Sequence, residues 1–209
     1  MFRSKAALLL GWIWMVFAAL NTVDLVLRYR GPASAIAAVV LAVLTVLVFV
    51  TCLRPAIIIT EDGVLVRNPL RNTFVPWSQV EEVTVSHSIK ITAGGRSVRC
   101  WTPQASGRER ATAARRARPV SARGRHQPEP ARSKGEQAAA EALAGKTHAD
   151  WVGEQIIERA EAVRRTAAAH EPTAPETGEP ERVKVTWAPT ALAALLAALI
   201  LVVLLLVTV

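Results

Sequence analysis

Three long apolar runs constrain this chain more than any other feature. Ala6 to Leu27 is mostly apolar, while Ala35 to Leu53 and Ala188 to Val209 carry no charge. A helix needs roughly 20 apolar residues to cross a bilayer, and about nineteen at 1.5 Å each nearly cover its hydrocarbon layer. The 51% hydrophobic content of the 209 residues is therefore gathered into blocks and does not signify one large soluble core. Arg28-Tyr29-Arg30-Gly31-Pro32 is a short turn, so residues 6–53 read as a two-helix transmembrane hairpin. Residues 188–209 read as a C-terminal transmembrane helix. Arg182, Lys184 and Trp187 lead into it and suit the headgroup zone.

Positive residues orient these spans. Arg3 and Lys5 precede the first, and Arg54, Arg67, Arg71 and a long arginine series follow the second. The hairpin loop carries only Arg28 and Arg30. The expected arrangement is a multi-pass cell-membrane protein with its N-terminus and central domain in the cytoplasm. A secretory signal peptide would share the charged start, but no small-x-small cleavage site follows Ala18-Ala19-Leu20. Asn21 and Asp24 lie near the far end of the first span, and Asp24 is expected to reach the interface beside Arg28. Cys52 and Cys100 are the only cysteines, which suits a reducing compartment and argues against a disulfide scaffold.

Between the spans, Arg54 to Pro103 alternates with the period of two that marks strands with one buried face. Ile57-Ile58-Ile59-Thr60 and Val64-Leu65-Val66-Arg67 flank Glu61-Asp62-Gly63, a hairpin signal in which glycine supplies positive φ. Thr73-Phe74-Val75 follows the turn Asn68 to Asn72, and Pro76 ends it. Ser78-Gln79-Val80-Glu81 predicts a short helical turn with a capping box. Val83 and Val85, then Ile89 and Ile91, then Val98, Cys100 and Thr102 mark three more strands, with Ala93-Gly94-Gly95 as a turn. About six strands in roughly fifty residues argue for a small sandwich or barrel over residues 54–104.

Four pieces of this stretch carry a resemblance: Arg54-Pro55, Glu61-Asp62-Gly63-Val64, Arg67-Asn68-Pro69-Leu70-Arg71, and Pro76-Trp77-Ser78-Gln79-Val80-Glu81-Glu82-Val83. In that order and spacing they resemble the bacterial pleckstrin-homology (PH) family. Within it, they are similar to small membrane-anchored PH proteins of high-GC actinobacteria, which include the low-molecular-weight protein antigen group. The resemblance implies an antiparallel PH-like β-barrel closed by a C-terminal helix, and it implies no activity. The expected fold class is thus membrane-anchored α+β, with three transmembrane helices beside that barrel.

Residues 105–146 change composition. Arginines from Arg108 to Arg132 come with Ala, Gly, Ser and Pro, so the segment reads as a basic disordered insertion. A solvated linker, a reader of anionic lipid and a nucleic-acid arm are the three readings. The absence of interleaved aromatics weighs against nucleic acid. Residues 147–169 predict a helix, opened by a capping box at Thr147-His148-Ala149-Asp150. Its apolar stripe includes Val152, Ile156 and Val163, expected to close the barrel, with an interfacial or partner-binding helix as the alternative. Residues 170–186 read as a Pro- and Glu-rich linker.

No constellation of catalytic, cofactor-binding or metal-ligating residues emerges. The phosphate-loop, paired Cys-x-x-Cys and His-Glu-x-x-His patterns are all missing. His87 points away from Ser86 and Ser88 on an alternating strand, and the other histidines are scattered. The first two-strand loop, Glu61-Asp62-Gly63, holds two acids where phosphoinositide-binding PH domains hold bases, so it would repel such a headgroup. The candidate anionic-surface contacts are therefore Arg67, Arg71, Arg96 and Arg99, with Arg115, Arg116 and Arg118 of the basic segment. The expected function is a non-catalytic binding or scaffold domain displayed at the membrane, with an anionic-lipid sensor acting through the Arg-rich segment as the alternative. Expected partners are the bilayer itself, anionic lipids or another membrane protein.

Overall fold

The period-two stretch becomes six strands in the computed structural model, which describes residues 1–104, 107–117, 145–169 and 182–208. They are β1 (Ala56–Ile59), β2 (Gly63–Arg67), β3 (Arg71–Pro76), β4 (Val80–Val85), β5 (Ser88–Ala93) and β6 (Arg96–Gln104). The β5–β6 turn has positive φ at both Gly94 and Gly95, the geometry whose twist matches a tight hairpin. Gly63 departs from the expectation. Its φ is not positive, and glycine is needed there because a Cβ would lie 2.4 Å from the Val75 carbonyl oxygen. The helical turn predicted at Ser78 is a single 3-10 turn, Trp77–Gln79, with no side-chain cap. The chain is already a strand at Val80, where Ser78 would need helix to follow it.

These strands do not close into a barrel. They form two antiparallel sheets, ordered β1-β2-β3-β7 and β4-β5-β6. The fourth strand of the first sheet is β7, Lys184–Trp187, which pairs antiparallel with β3 from Arg71↔Trp187 to Phe74↔Lys184. The end of the expected linker 170–186 is thus a strand, while residues 170–181 lie outside the described residues. With β7 on the free edge of β3, β4 passes through the 3-10 turn into the second sheet. The opposite seam, between the β2–β3 turn and β6, is joined by a side chain. Asn68 Nδ2 donates to the Arg99 carbonyl at 2.8 Å, and its Oδ1 accepts from the Trp101 N–H at 2.8 Å. One amide group thereby supplies a pair of hydrogen bonds where a closed barrel would continue a backbone ladder.

Two helices pack on this frame. Gly107–Ala117 is a helix, α3, where composition alone predicted disorder. Alanine and arginine are both strong helix formers, and Glu109 sits favourably in its first turn. Its Arg110 donates to the Ser86 carbonyl, and Ala113 is buried. The rest of the basic segment, 118–144, lies outside the described residues. Helix α4 is His148–Ala169, and its capping box forms as expected. The Asp150 N–H donates to Thr147 Oγ1 at 3.3 Å, and Asp150 Oδ2 accepts from the Thr147 N–H at 2.8 Å. Ala149, Val152, Ile156 and Ala160 complete one core with Ile57, Val64, Val66, Val75, Trp77, Ile89, Ile91 and Cys100. Burial drives the Cys100 thiol pKa up to about 12, so it behaves as a small core hydrophobe. Val163 lies beyond this contact and is exposed, which corrects its expected place in the core. Arg164 instead ties the far end of α4 to the sheet by donating to the Val80 carbonyl.

Among the described residues, three helices are long and apolar enough to cross a membrane. They are α1 (Lys5–Leu27), α2 (Pro32–Val48, continued by a π-type turn, Phe49–Leu53) and α5 (Pro189–Thr208). Trp14 Nε1 of α1 donates to Thr45 Oγ1 of α2 at 3.2 Å, and α2 also packs on α5. Asp24 pairs with Arg28 at 3.1 Å, both side chains being exposed. The chain before α1 is tied to the domain. Phe2 exchanges both backbone hydrogen bonds with Ile57, at 2.7 and 2.9 Å, and its ring packs edge-on against Trp151 and His148 of α4.

Replacing Ile156 by Ala removes fully buried volume at the centre of this core and is expected to cost about 2–5 kcal/mol in denaturant unfolding. Desolvation, then the charge of Lys5, lowers the His148 pKa, while Glu109 opposes them. The unfolded imidazole therefore protonates first. Its contribution to stability is complete above about pH 6.5 and declines as the pH falls below that value. A melting-temperature series from pH 8 to pH 5 should show a steeper acid decline for the native chain than for His148→Gln.

Candidate functional site

The geometry converges where the apolar helices meet the sheets. Arg54 follows the π-type turn at the end of α2 and is only 9% exposed. Its Nη1 donates to the carbonyls of Asn68 and of Pro69, the latter at 3.1 Å, and its Nη2 donates to Asn72 Oδ1 at 2.6 Å. Asn-Pro-Leu-Arg is thus a turn held open toward Arg54, with its Asn68 side chain spent on β6. The turn closes on itself through the Asn68 N–H and the Arg71 carbonyl, at 2.8 Å. Trp101 extends the junction, since its indole N–H donates to the Thr51 carbonyl at 3.1 Å. Trp77 of the Pro-Trp-Ser piece does comparable work on the other side. Its indole N–H reaches the Thr60 and Glu61 carbonyls, at 3.3 and 2.9 Å, and binds the β1–β2 loop.

Among the described residues the candidate arginines do not form one surface. Arg67 ends β2, close enough to Arg54 that its charge, after burial, lowers the Arg54 pKa. Arg71 is exposed at the start of β3, and its guanidinium lies 4.8 Å from the centre of the Trp187 ring of β7. This is a cation–π contact at the junction with α5. Arg96 and Arg99 belong to the other sheet, with Arg96 exposed beside Arg182 and Arg99 Nε donating to Ser88 Oγ at 3.0 Å. Arg115 is exposed on α3, Arg116 is on the same helix, and Arg118 lies outside the described residues. Sequence reasoning missed two partners of Arg67. In the sequence Arg54 stands among the orienting positive residues and in the Arg54-Pro55 piece, and Arg3 stands among the orienting residues, yet all three line one cleft. The Arg54-Pro55 pair was the only local hint. Among the described residues no three His, Cys, Asp or Glu side chains cluster as a metal site would require.

Comparison with family models decides the lineage of the sheets. Residues 54–144 match the model described as the bacterial PH domain. Over these residues the chain is similar to the bacterial PH-domain family. PH domains are in general non-catalytic binding domains, and no enzymatic family is indicated. No curated protein and no solved structure matches the chain. The match ends before α4, although α4 supplies Val152, Ile156 and Ala160 to the core of the PH domain. The domain also recruits β7 from beyond the matched residues.

Asn68 carries the seam between the two sheets. Asn68→Ala leaves the Arg99 carbonyl and Trp101 N–H without their partners and should cost about 1–3 kcal/mol. Asn68→Asp, which retains an acceptor and loses the donor, should fall between the two in the same unfolding measurement.

Proposed function

We propose that this chain is a membrane-anchored, non-catalytic binding or scaffold protein that displays its PH domain at the cytoplasmic face of the cell membrane. The observation that carries this reading is the junction. The three ends nearest the domain, Lys5, Leu53 and Pro189, belong to the three apolar helices. Arg54 and Pro55 alone separate the π-type turn that continues α2 from β1, and Ala188 alone separates β7 from α5. Ala188 is buried with Val50 and Ala191, and its N–H donates to the Leu70 carbonyl at 3.0 Å. Such short, packed connections would hold the domain against the bilayer with little freedom to swing. A domain fixed there meets membrane-bound partners at a high effective concentration without any additional contact. Arg3 and Lys5 beside the domain, against Arg28 and Arg30 in the short loop, support a cytoplasmic placement. Apolar contacts with another membrane protein, and charge contacts with the bilayer surface, are the interactions available to it.

Substituted-cysteine labelling tests the placement, in a background where Cys52 is replaced. A membrane-impermeant maleimide should label Ala33→Cys, exposed in the first turn of α2 just after the hairpin loop, in intact cells. It should label Ser97→Cys on the exposed β5–β6 side only after permeabilisation. The reverse pattern would put the domain outside and sink the topology. Extraction of the chain by alkaline carbonate would sink the anchoring itself.

A further inference from the structure

We propose that the cleft between α1, the end of α2, the start of α5 and the first sheet is a binding site for one anionic phospholipid, whose phosphate is held by Arg3, Arg54 and Arg67. This deepens the membrane-anchored reading and rests on it. The cleft has a volume of about 640 Å³. Its polar part holds the three arginines, and its apolar part holds Trp12, Phe49 and Leu53. Pro189 and Thr190, the first residues of α5, also border it, so a helix N-terminus adds its partial positive charge.

The charge pattern calls for an anion. Arg54 and Arg67 repel each other across a partly desolvated space. The ion pairs found among the described residues, Asp24–Arg28 and Lys146–Glu154, involve none of the three arginines. Arg3 Nε is buried and has no hydrogen-bond partner, a costly state that a phosphate oxygen would relieve. Arg54 is held by Asn68, Pro69 and Asn72 through three of its five N–H groups, which fixes the position of its charge in advance. Guanidinium groups suit phosphate because their planar forks pair with two oxygens at once.

The apolar wall selects a lipid over a free phosphate. Trp12 lies seven residues into α1 from Lys5, about 10 Å along the helix at 1.5 Å per residue. Phe49 and Leu53 line the same trough from the π-type turn. A diacyl lipid with its phosphate at the arginines would therefore lay its chains along α1, in the direction the bilayer takes. This site differs from the Arg-rich segment and from the acidic β1–β2 loop, and it uses neither.

The test uses the full chain, in nanodiscs made from equal parts phosphatidylglycerol and phosphatidylcholine. Native mass spectrometry then reads which lipid is retained on release. The wild-type chain should retain phosphatidylglycerol over phosphatidylcholine. Arg3→Gln, which alters no strand, should weaken that preference, and Arg3→Gln with Arg67→Gln should reduce it about tenfold or more. Lys90→Gln, on the exposed side of β5, should leave it unchanged. Equal retention of the two lipids by the wild type, or an undiminished preference in the double variant, would overturn the proposal. So would displacement of the lipid by glycerol phosphate at equal concentration, which would assign the cleft to a soluble phosphate. A chain that enters nanodiscs but shows no preference defeats this site alone, whereas a chain that does not enter defeats the anchoring on which it rests.

Discussion

The Arg54 guanidinium holds this architecture together. It stands at the exit of α2, and it is bonded to the one turn that also grips the second sheet. Remove the positive fork and three things lose their common anchor: the helix end, the β2–β3 turn and, through Asn68, β6. A buried arginine is expensive to desolvate, and it is retained here because carbonyl and amide oxygens satisfy it. Those oxygens are neutral, so its positive charge persists at the place where three apolar helices end.

The sheets were legible in the sequence because one side of each strand is buried and the other is not. Ile89, Ile91 and Ala93 face in while Lys90 faces out, and no other local structure gives that alternation. The Thr147–Asp150 cap was legible for a similar reason, since both of its halves lie within four residues. Strand β7 was not. Its four residues are all exposed, the edge it pairs with lies more than a hundred residues earlier, and a Pro- and Glu-rich tract precedes it. Helix α3 was hidden by ambiguity of another kind. Arginine and alanine make good helices and poor cores, so composition predicted the absence of a core and overlooked the helix.

The site followed the same division. Arg67 was legible as a surface base on a strand, but its neighbours Arg3 and Arg54 stand 64 and 13 residues earlier in the chain, and only tertiary packing brings the three together. Nothing in the spacing of Arg3, Arg54 and Arg67 announces that they share a cleft. The two-sheet form was also beyond the sequence. Whether a seam is closed by a ladder or by the amide of Asn68 depends on how the strands splay. The family resemblance pointed to a barrel, and the side-chain seam replaced it.

The junction of β7 with α5 has a consequence for biosynthesis. The first sheet lacks its fourth strand until the ribosome has made residues 184–187, and α5 comes immediately afterwards. During that interval β3 presents an unpaired edge, a surface prone to wrong partners. The loop that closes it runs from Arg71 to Trp187 and is entropically slow to form in free solution. Helix α5 shortens the search, because once its start docks beside Val50 the strand just ahead of it is delivered within reach of β3. Maturation of the domain is thereby coupled to synthesis of α5, and a nascent chain stalled before it would remain an open-edged intermediate.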